Sequence, residues 1–239
     1  MQIRLMQLAA AAACCALGIG CAQFPSVPYN KAAPDKPASV GIAPLWVPEK
    51  PQMLIIGAAG NNFGLIGALV EAGRAASAAT ATQEAMAAAE FDYAGAFKSR
   101  VLKAFEDAGF AVALLPGERP SRERVEFLKT TPPAHGSAAV ADVVAKFLGF
   151  VAGGATTPYR PTLNTELRLL DAKSGKVLFA EQIHYNHFDR AAPSAIALEP
   201  NLECSFENVK AIEDAPTKAA DCLAEAIDAV GAEITRQLR

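Results

Sequence analysis

Aromatic residues are scarce in this chain, at 7% of 239 residues with a single tryptophan, so its core should be of ordinary size. The 51% hydrophobic content does not change that expectation, because alanine supplies much of it and buries little area per residue. Positive charge is short as well. The formal net charge is −3, and Arg4 lies in the N-terminal stretch, so the remainder is more acidic still. That balance, with no basic arm, argues against a nucleic-acid-binding surface. The first twenty residues are too short and too alanine-rich for a spanning helix. No internal repeat is visible, and no Gly-x-Ser-x-Gly elbow supports a hydrolase. Length and composition together bound a single domain with a tail.

Those first twenty residues have the three parts of an export signal: a cation at Arg4, an apolar run from Leu8 to Leu17, and the small residues Gly18 and Gly20 ahead of Cys21. The junction resembles the lipobox of bacterial lipoproteins, with Gly18 standing where that motif usually has leucine. The resemblance implies that residues 1–20 are removed and that a diacylglycerol is attached to the Cys21 thiol. It also implies placement at the outer membrane, facing the periplasm, because Ala22 rather than aspartate follows the cysteine. An ordinary secreted protein whose cysteine is accidental is the other reading of the same residues.

Removal of Cys14 and Cys15 and acylation of Cys21 leave Cys204 and Cys222. In an oxidising periplasm two leftover thiols read as a disulfide, which would contribute about 3 kcal/mol by closing a short loop. Two independent buried thiols remain the alternative.

Residues 21–38 read as a proline-rich linker, since Pro25, Pro28, Pro34 and Pro37 each fix their own backbone and bias the preceding residue away from helix. The expectation is an extended spacer that does not pack into the core. Residues 39–239 form the folded domain. Val40, Ile42 and Leu45-Trp46-Val47 suggest one strand and Met53 to Ile56 a second. An alanine-rich helix follows to about Ala89, then a helix marked by Phe97, Val101 and Phe105 and stopped at Gly109, then a strand from Phe110 to Leu115. A short strand is expected at Val125 to Leu128. Val140 to Val151 reads as a buried strand, although Val140, Val144, Phe147 and Val151 also fit a helical stripe. Thr162 to Leu170 and Val177 to Tyr185 alternate in polarity on either side of Asp171-Ala172-Lys173-Ser174-Gly175-Lys176, which predicts a hairpin. Leu223, Ile227, Val230, Ile234 and Leu238 mark the inward face of a C-terminal helix. The fold class is therefore α/β, a mixed sheet with an antiparallel hairpin flanked by helices.

This order of elements, with Ala141-Asp142-Val143-Val144 and Asp171 through Leu178, resembles small envelope lipoproteins whose domain is similar to the TolB N-terminal domain and to CsgG. The resemblance implies an assembly, secretion or cell-wall accessory protein rather than an enzyme. A CsgG-like channel is not implied, because the long barrel-forming strands are missing.

Three stretches carry candidate chemistry. Glu181, His184 and His187 are the densest set of metal-ligating types, but on a regular strand His184 points away from the other two, so convergence needs a bulge or a strand end. Surface or strand-end histidines are the simpler reading, and a metal-dependent enzyme using His184 and His187 is the alternative. Gly57 to Gly64 lies where a phosphate loop would sit, yet no Gly-Lys-Ser/Thr follows, so no cofactor is expected. Leu65 and Leu69, with Ile66 and Val70 among small residues, either face the protein's own sheet or form a docking face for a second copy or an envelope partner. The expected function is that of a non-catalytic, lipid-anchored binding or assembly accessory. An auxiliary subunit of an envelope transporter is a further alternative.

Overall fold

The computed structural model describes residues 24–56, 64–119, 126–154, 156–188 and 194–239, without the side chains of 64–72 and 74. Residues 1–20, read above as an export signal, Cys21 and residues 57–63 lie outside the described residues. The strands are β1 (Ser39–Ile42), β2 (Gln52–Ile55), β3 (Ala111–Leu114), β4 (Ala139–Ala152), β5 (Tyr159–Asp171), β6 (Val177–Tyr185) and β7 (Ile196–Leu198). The helices are α1 (Gly64–Ala88), α2 (Tyr93–Asp107), α3 (Val209–Asp214) and α4 (Pro216–Leu238). Among the described residues none of them is long and apolar enough to cross a membrane.

The strands make one mixed sheet in the order β3-β1-β4-β5-β6-β7, with β2 also paired to β4. β4, β5 and β6 run antiparallel, whereas β1 and β2 lie parallel to β4 along one edge, at Ala139–Ala141 and at Gly149–Ala152. Of Leu45-Trp46-Val47 only Trp46 joins the sheet, in a single bridge to Val144 between those two strands. The backbone of Gln52 passes so close to Gly149 that a Cβ there would run into it, which is why a glycine interrupts this otherwise bulky strand.

One face of the sheet is packed by the helices. Ala139, Ala141 and Val143 of β4, Leu163, Leu167 and Leu169 of β5, and Phe179 and Ile183 of β6 meet Phe97, Val101 and Phe105 of α2. Leu223, Ile227, Val230, Ile234 and Leu238 of α4 close the same core. Each of the buried Val, Leu, Ile and Phe side chains contributes about 1.5–3 kcal/mol relative to exposure. Asp92 caps α2 by accepting from the Gly95 amide at 2.9 Å, and Gly109, at φ +95°, turns the chain from α2 into β3.

β4 reverses its faces midway. The ladder with β5 shifts register between Ala145 and Phe147, leaving Lys146 as a bulge. Before the bulge the odd-numbered residues face the helices; after it Leu148, Phe150 and Ala152 do. Val140, Val144, Phe147 and Val151 therefore share the opposite face of a strand, and the apparent helical stripe is the signature of a bulge.

Two expectations are corrected. Residues 126–128 form no strand, and Val125 lies outside the described residues. The backbone groups of this segment are met by side chains rather than by a ladder, as the site below shows. The proline-rich segment is not a free spacer from Phe24 on. Val27 exchanges backbone hydrogen bonds with Ala180 of β6 at 2.8 and 2.9 Å, and Tyr29 packs edge-on against Phe110 and Phe179. Lys31 Nζ donates to the Arg236 carbonyl near the end of α4 at 2.9 Å. The prolines forbid a run of ladder bonds, but Val27 lies between Pro25 and Pro28 and keeps its own amide.

Candidate functional site

The face of the sheet away from the helices carries the polar chemistry. It is lined by alternate residues of β4, β5 and β6, and a small apolar cluster of Ala43, Leu115 and Val140, with Leu128 and Ala134, covers one end. Beside that cluster sits Asp142, whose side chain is 3% exposed. Arg119 Nη2 donates to Asp142 Oδ1, while Arg168 Nη2 and the Leu128 amide donate to Oδ2 at 3.1 and 2.8 Å. β4 and β5 place Asp142 directly opposite Arg168 in the ladder, which explains that half of the pairing.

The same two arginines hold the connection that lacks a strand. Arg119 donates to the carbonyls of Pro44 at 2.9 Å and Glu126 at 2.7 Å, and Arg168 to that of Leu128 at 2.6 Å. The Arg168 guanidinium lies 4.6 Å from the centre of the Phe127 ring. Backbone carbonyls that would otherwise need a strand partner are thus met by guanidinium groups, and the Leu128 amide by the Asp142 carboxylate.

Phe127 in turn meets Phe24, ring centres 6.0 Å apart, where the N-terminal strap crosses the face. Between strap and sheet lies a cleft of about 400 Å³. Phe24, Pro25 and Val27 form one wall and Glu126 and Phe127 another; Lys146, Glu166, Arg168, Val177 and Ala180 form the floor. Its polar groups are engaged with one another: Lys146 Nζ lies 3.4 Å from Glu166 Oε2, and Gln182 donates to Glu166 Oε1 at 2.9 Å. The bulge at Lys146 places that side chain at the cleft.

Of the three metal-ligating types, the structure brings two together and turns the third away. β6 ends at Tyr185, and Asn186, at φ +57°, folds the chain back, so His187 stacks on His184 with Nδ1 to Nδ1 at 2.9 Å. In that contact one ring must donate and the other accept. Glu181 pairs with Leu167 in the ladder, on the helix-bearing face, and accepts from the Ser26 hydroxyl at 2.5 Å. Among the described residues no group of three or more metal-ligating side chains exists. The strand end required for convergence is present, yet the carboxylate lies on the wrong face of the strand.

Cys204 and Cys222 form a disulfide between the segment ahead of α3 and α4, with Cα atoms 5.6 Å apart, and both residues are buried. Leu65 and Leu69 fall on α1, but their side chains lie outside the described residues, as does the whole of Cys21.

No family model matches the chain, and no curated protein does either. Solved structures do match. A Xanthomonas campestris protein of the DUF330 family is 14% identical over 87% of this chain and 87% of its own, at a TM-score of 0.39. The PelC dodecamer of Paraburkholderia phytofirmans is 7% identical over 89% and 93%, at 0.32. The lipoprotein GNA1162 of Neisseria meningitidis is 12% identical over 64% and 88%, at 0.27. None of these matches shows the resemblance to the TolB N-terminal domain or to CsgG.

Proposed function

We propose that this protein is a lipid-anchored accessory of the bacterial cell envelope, held at the outer membrane through Cys21, facing the periplasm and acting by binding or assembly rather than catalysis. The observation that carries the reading is the buried disulfide between Cys204 and Cys222. Such bonds persist in oxidising compartments, which is where the signal ending before Cys21 would deliver the chain. The two features are independent, one read from the N-terminus and the other from the folded body.

A binding role is favoured by how the open face spends its polar groups. Asp142, Arg119 and Arg168 bond to each other and to the 126–128 backbone, and Glu166 is held by Lys146 and Gln182, so the charges build a surface. The partner is an envelope protein or a second copy of the chain, with Leu65 and Leu69 as candidate contacts. An acylated Cys21 would hold the body firmly, since each buried methylene contributes about 0.8 kcal/mol and more than one chain is expected.

Fractionation of cells making the full-length protein tests this. Wild type is expected in the membrane fraction with no free thiol, and Cys21→Ser in the soluble periplasmic fraction. A Cys21→Ser protein that stays in the membrane fraction, or wild type with two free thiols at Cys204 and Cys222, contradicts it.

A further inference from the structure

The length of free chain between anchor and body decides which surface meets the bilayer, and the packed strap makes that length short. From Phe24 on the chain is held to the body, by Phe127 at Phe24, by Glu181 at Ser26 and by Ala180 at Val27. Only residues 22 and 23 separate Cys21 from Phe24. Three steps of chain reach about 10 Å at full extension. Resting on the reading of Cys21 as the lipid carrier, we propose that the open sheet face around Phe24, Phe127 and Val177 lies against the lipid bilayer, with α4 turned away from it.

The chemistry of the two faces agrees with that orientation. Phe24, Phe127 and Val177 border one cleft, and Val177 is 37% exposed at the start of β6. Exposed Lys173 and Lys176 precede it in the hairpin turn and exposed Lys129 follows Phe127, with Glu126 an exposed acid on the same rim. Lysines beside an apolar patch keep their stems on it while their ammonium groups reach anionic headgroups. The outward side of α4 instead mixes exposed Asp221, Glu225 and Asp228, the last paired with Arg100, with exposed Lys218 and Arg236, and none of the exposed large apolar side chains among the described residues falls on it. A spacer as long as the prolines suggested would let the body tumble over its anchor; the Val27 bridge removes that freedom.

The acylated full-length protein, purified from membranes and placed in phosphatidylethanolamine–phosphatidylglycerol vesicles containing a headgroup-proximal spin-labelled lipid, tests the orientation. A fluorophore is attached at Val177→Cys in one preparation and at Asp221→Cys in another, the native disulfide being intact in both. Strong quenching at position 177 and little at position 221 is expected, with quenching at 177 falling when Val27→Pro releases the strap. Equal quenching at both positions, or none at 177 in protein that floats with the vesicles, overturns the orientation and leaves the anchor standing. Protein that does not float with the vesicles overturns the anchor, and the orientation with it.

Discussion

Val27 and Ala180 exchange a reciprocal pair of backbone hydrogen bonds, 2.8 and 2.9 Å long, that pins the N-terminal strap to the outer edge of β6. β7 pairs with the same edge farther along, at Ile183 to Tyr185. The two pieces cover an edge that would otherwise offer unpaired amides and carbonyls to another chain. Replacing Val27 with proline removes the donor to the Ala180 carbonyl, and the strap, left with one bond of the pair, lifts from the edge and uncovers the Ala180 amide that donates to the Val27 carbonyl. The expected outcome is faster hydrogen exchange at the Ala180 amide with the helix-packed core unchanged, measured residue by residue; an unaltered rate at Ala180 counts against the bridge.

Asp142 accepts from two guanidinium groups and one backbone amide while almost fully buried. Its replacement by alanine leaves two cations without their counter-charge, at a cost of about 3–5 kcal/mol. Chemical denaturation checks this, and a loss under 1 kcal/mol, roughly the worth of an exposed pair, contradicts the buried network. A smaller loss is expected for Asp142→Asn, which keeps one acceptor oxygen.

The disulfide closes a loop with a sequence separation of 18. Replacing both cysteines by serine is expected to lower unfolding stability by about 3 kcal/mol, read by linear extrapolation with the slope fitted for each protein, since the uncrosslinked chain exposes more surface when unfolded. Reduction of the wild type should give a similar loss. No change on reduction would mean that the bond does not form in the native protein.

Acid should loosen the end of α4. Burial works to raise the pKa of Glu233, but hydrogen bonds from Arg236 and Gln237 and the nearby charges of Arg236 and Lys31 outweigh it, and the carboxyl is held below its ordinary value. A depressed carboxylate stabilises the fold above its unfolded pKa, and that contribution is lost as pH falls through the folded value. Glu233→Gln is therefore expected to be less stable than wild type at neutral pH and to approach it below the normal glutamate range. Parallel stability curves across that range contradict the assignment.

Legibility in the sequence followed the range of the interactions. The hairpin was readable because its determinants are local: Asp171 accepts from the Lys173 and Ser174 amides and the Ser174 hydroxyl, and Gly175 takes φ +71°. The inward stripe of α4 was readable for the same reason, since period alone specifies it. β4 gave two answers because the bulge at Lys146 converts a period of two into a spacing of four, three and four. The union of Arg119, Asp142 and Arg168 left no trace in sequence, because only the ladder and the 116–138 connection bring them together. The His184–His187 contact depended on one residue, Asn186, adopting a left-handed backbone that alternation cannot announce.

A lipid on Cys21 would show in the mass of the N-terminal peptide released from membrane-purified protein. The expected peptide begins at Cys21 and carries a diacylglycerol increment. A peptide that begins at Cys21 or later with no added mass, or that retains residues 1–20, contradicts lipidation of Cys21.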